Sequence, residues 1–386
     1  MGVLQELFRS HGAQYLEHFG QAMPGAHQRV IEAITRCRTQ ANGAVLYRCE
    51  GCAEPHVVHR SCGNRHCSGC QQHKTYQWLA RQLERQLPTH HFMLTFTVPE
   101  PLRAFLRSHQ RIGYGTLFEA SAGAIKRLAA DPKHLGADTP GFFGVLHTWG
   151  RALIYHPHIH YVVPGGALQS QDRQWHPCSP GFYLPVRALS SIFRAKFRDA
   201  MDQAGLLAEI PQEVWATDWN VNCQPVGDGA ATIQYLARYV FKVAISESRI
   251  LRVDPVNVVF RYRKVHSNRL RTMVLPIMEF MRRFLQHVLP WGFMKVRYYG
   301  FLSPSFSVPL EELKARIEMA QGFALRAPEV EIEAPAPLCC RHCGGRLRYQ
   351  STILPPARSL IGVMAPPDDL MPRTRTTSPS LSSASG

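Results

Sequence analysis

The chain has 386 residues, of which 45% are hydrophobic, so it holds material for two or three domains with a sizeable core. Lys and Arg (44) outnumber Asp and Glu (28), for a formal charge of +16, and that excess favours a polyanionic partner, most simply nucleic acid. No stretch is apolar for long enough to span a bilayer, and the start, MGVLQELFRS, lacks the basic-then-apolar pattern of a secretory signal; the expectation is a cytoplasmic protein with no membrane role.

In chain order, residues 1–45 read as helical, with AHQRVIEAITRC amphipathic. Residues 47–73 are rich in Cys and His and nearly coreless. They hold two CxxC pairs, Cys49 with Cys52 and Cys67 with Cys70, separated by fourteen residues. Short CxxC spacings in a chain expected to be cytosolic argue for metal over disulfides. Four thiolates suit a tetrahedral Zn2+, and a segment with so few apolar residues needs the metal to fold. Cys62, His56, His59 and His66 crowd the same segment. Cys62 or His66 is an alternative ligand, and the spacing also allows a second metal.

A helix follows over 74–87, stopped by Pro88, then a buried strand over 90–99. Residues 101–130 are mostly helical, and 131–141 form a loop. Residues 142–150 and 157–165 read as a pair of strands with a short connection. The second strand is preceded by and includes His156, His158 and His160 at alternate positions, so the three imidazoles share one face while Pro157, Ile159 and Tyr161 take the other. Burying several imidazoles without partners is costly, and two histidines two residues apart can converge on one metal ion. The competing reading is a row of hydrogen-bonded histidines.

Residues 188–208 form a helix, 227–246 a helix with a Gly-rich start, 257–264 a strand, and 276–290 a helix stopped by Pro290. In the 227–246 helix, Ile233, Leu236, Ala237, Val240, Phe241 and Ala244 form one apolar stripe. Tyr235 and Tyr239 fall on the opposite side, one turn apart, joined by Arg238, Lys242, Ser246 and Arg249. The plainest reading is a solvated basic face. The chemical reading joins it to the histidines. A phenolate can attack a phosphodiester and form a covalent phosphotyrosine. A divalent ion held by the histidines, Mg2+ or Mn2+, can polarise the phosphoryl oxygen, and Arg238 and Lys242 can offset its charge. A free tyrosine has a pKa of about 10, so metal and cations must lower the cost of the developing charge.

From about Pro328 the chain turns Pro-rich, and it ends in RTRTTSPSLSSASG, the composition of a disordered tail. CCRHCGG (339–345) looks like one metal knuckle, Cys340 and Cys343, with Cys339 and His342 beside it. An unmetallated turn and a site completed elsewhere in the fold are both open.

SCGNRHCSGC (61–70), HPHIHYVVPGG and YLARYVFK together resemble the two-tyrosine HUH transposases of the insertion-sequence ninety-one family. GVLHTWGRAL, FRYRK and FMRRFLQHVLPWGFMKVRYYGFL (280–302) look like that family as well, and the resemblance covers residues 30–305. It implies that His158 and His160 are the HUH pair, that Tyr235 and Tyr239 are the nucleophiles, and that the amino-terminal region binds zinc. The implied fold is α+β, an HUH endonuclease-like central antiparallel sheet with flanking helices plus a small N-terminal zinc-binding module. HUH enzymes add a third metal ligand, and His147 on the preceding strand is favoured over His156. The organisation expected is a helical, Cys-rich zinc-binding region (1–90), an HUH nuclease domain with the tyrosine helix and a basic C-terminal part (91–328), and a Pro-rich, Cys-bearing, largely disordered tail (329–386). The implied activity is nicking of one DNA strand at an element end, with a covalent 5′-phosphotyrosine intermediate, a released 3′ hydroxyl and strand transfer to a target, as in rolling-circle-like transposition. The DNA partners would be element ends, as single strands or hairpins, and target DNA, with the protein on the bacterial nucleoid when bound.

Two other readings compete. A plasmid rolling-circle replication initiator or a relaxase would use the same chemistry, and strand-transfer products separate it from a transposase. A zinc-bearing DNA-binding regulator without catalysis would form no covalent DNA adduct. If the tyrosine pair is not the nucleophile, Tyr155 and Tyr161 beside the histidines are next.

Overall fold

The computed structural model describes residues 2–241, 244–263, 267, 269–322 and 337–355. The elements run α1 (Val3–Phe19), α2 (Gly25–Arg36), β1 (Ala44–Cys49), β2 (Pro55–His59), α3 (Gln72–Glu84), β3 (His91–Thr97), α4 (Leu102–Ser108) and α5 (Gln110–Ala130). Then come β4 (Phe142–Trp149), β5 (Tyr155–Pro164), β6 (Gly166–Leu168), β7 (Trp175–Pro177), α6 (Val186–Gln203), α7 (Glu213–Ala216), β8 (Asn220–Pro225) and α8 (Ala230–Val240). The chain continues through β9 (Ile250–Val253), β10 (Asn257–Arg263), β11 (Leu270–Pro276), α9 (Ile277–Leu285), β12 (Val296–Tyr299), α10 (Leu310–Gln321) and β13 (Leu347–Ile353). No described helix is long and apolar enough to cross a membrane.

The centre is an antiparallel sheet, as expected, and its strands are ordered β12-β4-β5-β3-β8. Alternation along its strands sends Phe92, Leu94, Phe96, Leu146, Ile159 and Tyr161 to one face, where they pack on Phe118 and Ile125 of α5 and on Phe193 and Phe197 of α6. Burying each such side chain fully is worth about 1.5–3 kcal/mol, so this layer holds the sheet. On the other face Phe143, Val145 and Val162 lie under Trp78 of α3 and Ile233, Leu236, Ala237 and Val240 of α8. Along β5 this shows as alternation from Tyr155 to His160, then burial at every position to Pro164. The histidine end of the sheet is the end that α3 and α8 leave partly open.

A third core joins α1 and α2 to the chain's later part. Leu4, Leu7, Phe8, Ile31 and Ile34 pack with Phe260, Phe280, Met281 and Phe284, and Phe8 and Phe284 stand 5.4 Å apart. The apolar core therefore runs across the boundary drawn near residue 90.

Three differences from the sequence expectations have local causes. Edge strand β8 was not expected, because NVNCQP offers only Val221 and Cys223 to the core while Asn220, Asn222 and Gln224 point out. Edge strand β12 is too short, at four residues, to show a period. Within the tail expected to be largely disordered, residues 337–355 carry β13, which pairs antiparallel with β1 in a sheet ordered β13-β1-β2. The Pro- and Ser-rich flanks hide LRYQSTI, whose partner strand lies at the other end of the sequence. The rest of that tail, and Lys242, lie outside the described residues.

Candidate active site

β4 and β5 pair so that His147 sits directly opposite His158, while His160 is one step further along the same face. One ring nitrogen from each of the three lies within 4.8 Å of the others. Two neighbours orient the rings. His158 Nδ1–H donates to the His156 carbonyl (2.7 Å), which can only accept, so Nε2 keeps its lone pair free. His160 Nδ1 pairs with the Thr95 hydroxyl on β3 (2.9 Å). His147 Nε2 is buried with no protein partner, so that nitrogen is free to act as a ligand. Burial, together with the neighbouring imidazoles, holds His147 and His158 well below the usual imidazole range, and burial takes His160 down to about 4. All three are therefore neutral near pH 7, as ligation requires. Three imidazoles with oriented or orphaned nitrogens fit a divalent ion.

The tyrosines reach this cluster through α8. The helix starts at Gly229, whose φ of +85° suits glycine, and Asp228 Oδ1 accepts from the Ala230 amide (2.8 Å). With its apolar stripe on Val145 and Val162, the helix brings the Tyr239 ring to 5.5 Å from His147 and 5.7 Å from Trp149. Tyr235 lies 5.4 Å from Tyr239 and is 47% exposed. Burial and the neighbouring Tyr239 push the Tyr235 phenol up, and the positive charges of Arg151, Arg249 and Arg238 pull it down. The helix ends at Val240, short of the expected end, and the chain turns back with Ala244 at a φ of +64°. Arg249 returns to the tyrosines from a short helical turn over Glu247–Arg249, anchored by Nε to the Arg261 carbonyl (2.9 Å) and Nη2 to the Arg151 carbonyl (2.5 Å). A cleft of about 490 Å³ opens here, lined by Gln72, Thr75, Arg238, Tyr239, Ser248 and Arg249.

Two residues of the site carry no motif of their own. Trp149 stacks on His147, with centroids 4.6 Å apart. Lys295 is buried, donates from Nζ to the Tyr239 carbonyl (2.6 Å) and sits 4.6 Å from the Trp149 ring centroid. It pins the end of the tyrosine helix. Its signals were a lone lysine in the apolar run GFMKV and its place in the 280–302 stretch that resembles the family.

Tyr155 and Tyr161 project to the opposite face. Tyr155 bonds to the Tyr114 hydroxyl (2.6 Å) and Tyr161 to Ser121 (2.7 Å), and burial pushes both phenols up. His156 stays outside the triad and serves His158 through its carbonyl.

The cysteines form two groups, and here one expectation is corrected. Cys49 and Cys52 do not meet Cys67 and Cys70. The β1–β2 hairpin carries the first pair to its tip, while the 62–70 loop folds back on α1 and α2. Cys67 and Cys70 join Cys37 and Cys62, with Sγ separations of 3.5 Å (Cys37–Cys70), 3.6 Å (Cys62–Cys70) and 3.6 Å (Cys37–Cys67). A tetrahedral zinc with bonds of 2.3 Å has an edge of about 3.8 Å, so this group fits zinc. Gln5 Nε2 donates to Cys67 Sγ (3.3 Å). His66 is outside the group, with Nδ1 on Asn64. Cys37, at the end of α2, has no CxxC partner and so was missed. Cys49 and Cys52 meet Cys340 and Cys343 instead.

A structural zinc contributes on the order of 10 kcal/mol, as much as a whole domain's margin of about 5–15 kcal/mol. Cys37→Ser should therefore lose one zinc and loosen α1 and α2, whose core residues surround the cysteine. Metal analysis and thermal melting check this, and an unchanged zinc content would remove Cys37 from the ligand set.

A family described as "Putative transposase" matches residues 141–308, and one described as "Transposase zinc-binding domain" matches residues 7–98. The "Putative transposase y4qJ" of Sinorhizobium fredii (strain NBRC 101917 / NGR234) is 37% identical over 350 residues, covering 86% of each chain. The "Transposase for insertion sequence element IS801" of Pseudomonas savastanoi pv. phaseolicola is 27% identical over 362 residues, covering 84% of each chain. No solved structure matches.

Proposed function

From the premise that the chain belongs to the insertion-sequence ninety-one family of transposases, with an N-terminal zinc-binding region, we propose that it cuts one DNA strand by tyrosine attack and carries the strand as a 5′-phosphotyrosine to its target. The observation that carries the reading is the approach of Tyr239 to a three-histidine cluster whose ring nitrogens converge within 4.8 Å.

His147, His158 and His160 hold the divalent ion, Mg2+ or Mn2+, which supplies polarisation of the scissile phosphate when bound. Trp149 keeps the His147 ring in place. Arg238, Arg249 and Arg151 draw the phosphate into the cleft and offset the charge that builds as the phenol gives up its proton. The tyrosine oxygen forms a bond to phosphorus, the bond from phosphorus to the 3′ oxygen breaks, and that oxygen leaves as a hydroxyl after taking up a proton. The 5′ end stays covalently on the protein. Lys242 is assigned the same charge-offsetting role from its sequence position.

The second tyrosine gives the reaction its next step. Tyr239 stands nearest the histidines and acts first; Tyr235, one turn outward, addresses a second scissile phosphate while the first 5′ end is retained. Because His147 is buried and His158 and His160 are only partly exposed, a strand should have to leave its duplex to reach them, and single-stranded or hairpin ends are the substrates proposed. The relatives are named as transposases, which favours this reading over a replication initiator or relaxase.

The test is incubation with Mg2+ or Mn2+ and labelled single-stranded element ends, followed by a denaturing gel. A metal-dependent, protein-linked band is expected. Its absence with every end tested, alongside intact binding, would favour a DNA-binding regulator. Lys295→Met should lower adduct formation by roughly 10- to 100-fold through misplacement of Tyr239. DNA affinity should be unchanged, and Lys295→Arg should restore part of the rate. Equal loss of binding and cleavage would make Lys295 a folding residue only.

A further inference from the structure

We propose that Cys49, Cys52, Cys340 and Cys343 bind a second zinc ion, which ties the last described strand of the chain to its first. The four thiols, on segments separated by 288 to 294 residues, have Sγ atoms within 4.8 Å of one another. Cys49 and Cys343 are 3.4 Å apart and Cys52 and Cys340 3.6 Å. These separations are far from a disulfide bond of about 2.05 Å and close to the edge of about 3.8 Å in a zinc tetrathiolate.

The two segments are built alike. In the first, the Cys49 amide donates to the Glu54 carbonyl (3.0 Å), the Ala53 amide to the Cys49 carbonyl (3.0 Å), and the Gly51 amide to Cys49 Sγ (3.4 Å). In the second, the Cys340 amide donates to the Gly345 carbonyl (2.8 Å), the Gly344 amide to the Cys340 carbonyl (3.0 Å), and the His342 amide to Cys340 Sγ (3.4 Å). Ala53 and Gly344 occupy the same place in each turn, both left-handed, at φ +61° and +72°. Each turn thus presents two thiols and aims an amide at the first sulfur, which favours the thiolate that zinc needs. Such paired knuckles, facing each other, complete a tetrahedral site.

The surroundings are fitted to the sulfurs. A Cβ on Gly345 would stand 3.0 Å from Cys49 Sγ and 3.1 Å from Cys343 Sγ. His56 Nε2 lies 3.2 Å from Cys340 Sγ and can donate to it. The same closure aligns β13 with β1, where Cys49 pairs with Leu347 and Arg48 with Arg348. The strand β13 is exposed along most of its length, so apolar burial alone gives little to hold it. The metal supplies the missing attachment.

Native mass spectrometry of the full chain should find two zinc ions per protein. Cys340→Ser and Cys49→Ser should each leave one, held by the Cys37 group, whose retention shows that the rest has folded. Cys339→Ser should keep two. A single zinc in the unaltered chain, or two retained in the Cys340→Ser/Cys343→Ser double variant, would overturn the proposal. Alkylation mapping needs no variant. The exposed Cys52 and Cys343 should resist the reagent until a chelator is added, while the exposed Cys339 reacts at once. Equal, chelator-independent reactivity of all three would equally overturn it.

Discussion

His158→Ala should leave the protein folded and DNA-binding and reduce metal-dependent strand cleavage by at least about a thousandfold, the scale lost when a principal source of transition-state charge stabilisation is removed. His158 is half-buried at the open end of the sheet, and its loss removes the imidazole directly opposite His147. Ile159 and Tyr161, which anchor β5 in the core, are untouched. His160→Ala should behave alike, and His147→Ala as well, with some added instability because that side chain is fully enclosed beside Trp149. His156→Ala should keep cleavage within a fewfold, since His158 uses only the backbone carbonyl of that residue. The measurement is cleavage rate against Mg2+ or Mn2+ concentration. A His158→Ala protein cutting at the parent rate would mean that the histidines hold no catalytic metal.

The Tyr235→Phe/Tyr239→Phe double variant should form no covalent DNA adduct. Phenylalanine keeps the ring, the 5.4 Å contact between the two side chains and the packing of Tyr239 on Trp149, so folding survives while both nucleophilic oxygens are gone. Of the single variants, Tyr239→Phe should impair first-strand cleavage more, because Tyr239 is the ring beside His147. Tyr235→Phe should cleave once and fail at the second transfer. Labelled single-stranded ends on denaturing gels separate these outcomes. Equal single-turnover rates for the two single variants would remove the order assigned to them.

Much of this site was legible because its signals are local. Alternation along 156–160 gave the histidine face, and helical spacing put Tyr235 and Tyr239 on one side of α8. The resemblance called for a third ligand, and pairing consecutive strands singled out His147. What escaped depends on distant choices. Nothing in CxxC spacing says which pairs meet, because partner choice is made by the fold: Cys37 reaches Cys70 from the end of a helix, and Cys340 reaches Cys52 from the far end of the chain. Arg249 was placed on the tyrosine face by helical projection. It reaches that face by another route, since the helix stops at Val240 and a reversal brings it back. Lys295 has no pattern, because its partner is the main chain of another element.

The most direct test of tyrosine-mediated strand transfer is to trap the protein–DNA adduct formed with Mg2+ on a single-stranded element end, digest it and sequence the modified peptide. The phosphodiester remnant should sit on Tyr239, or on Tyr235 after the second transfer, joined through its phosphate to the 5′ end made by the cut, with a free 3′ hydroxyl on the released strand. A remnant on any other residue, a 3′-linked adduct, or cleavage that leaves no protein-bound DNA would contradict it.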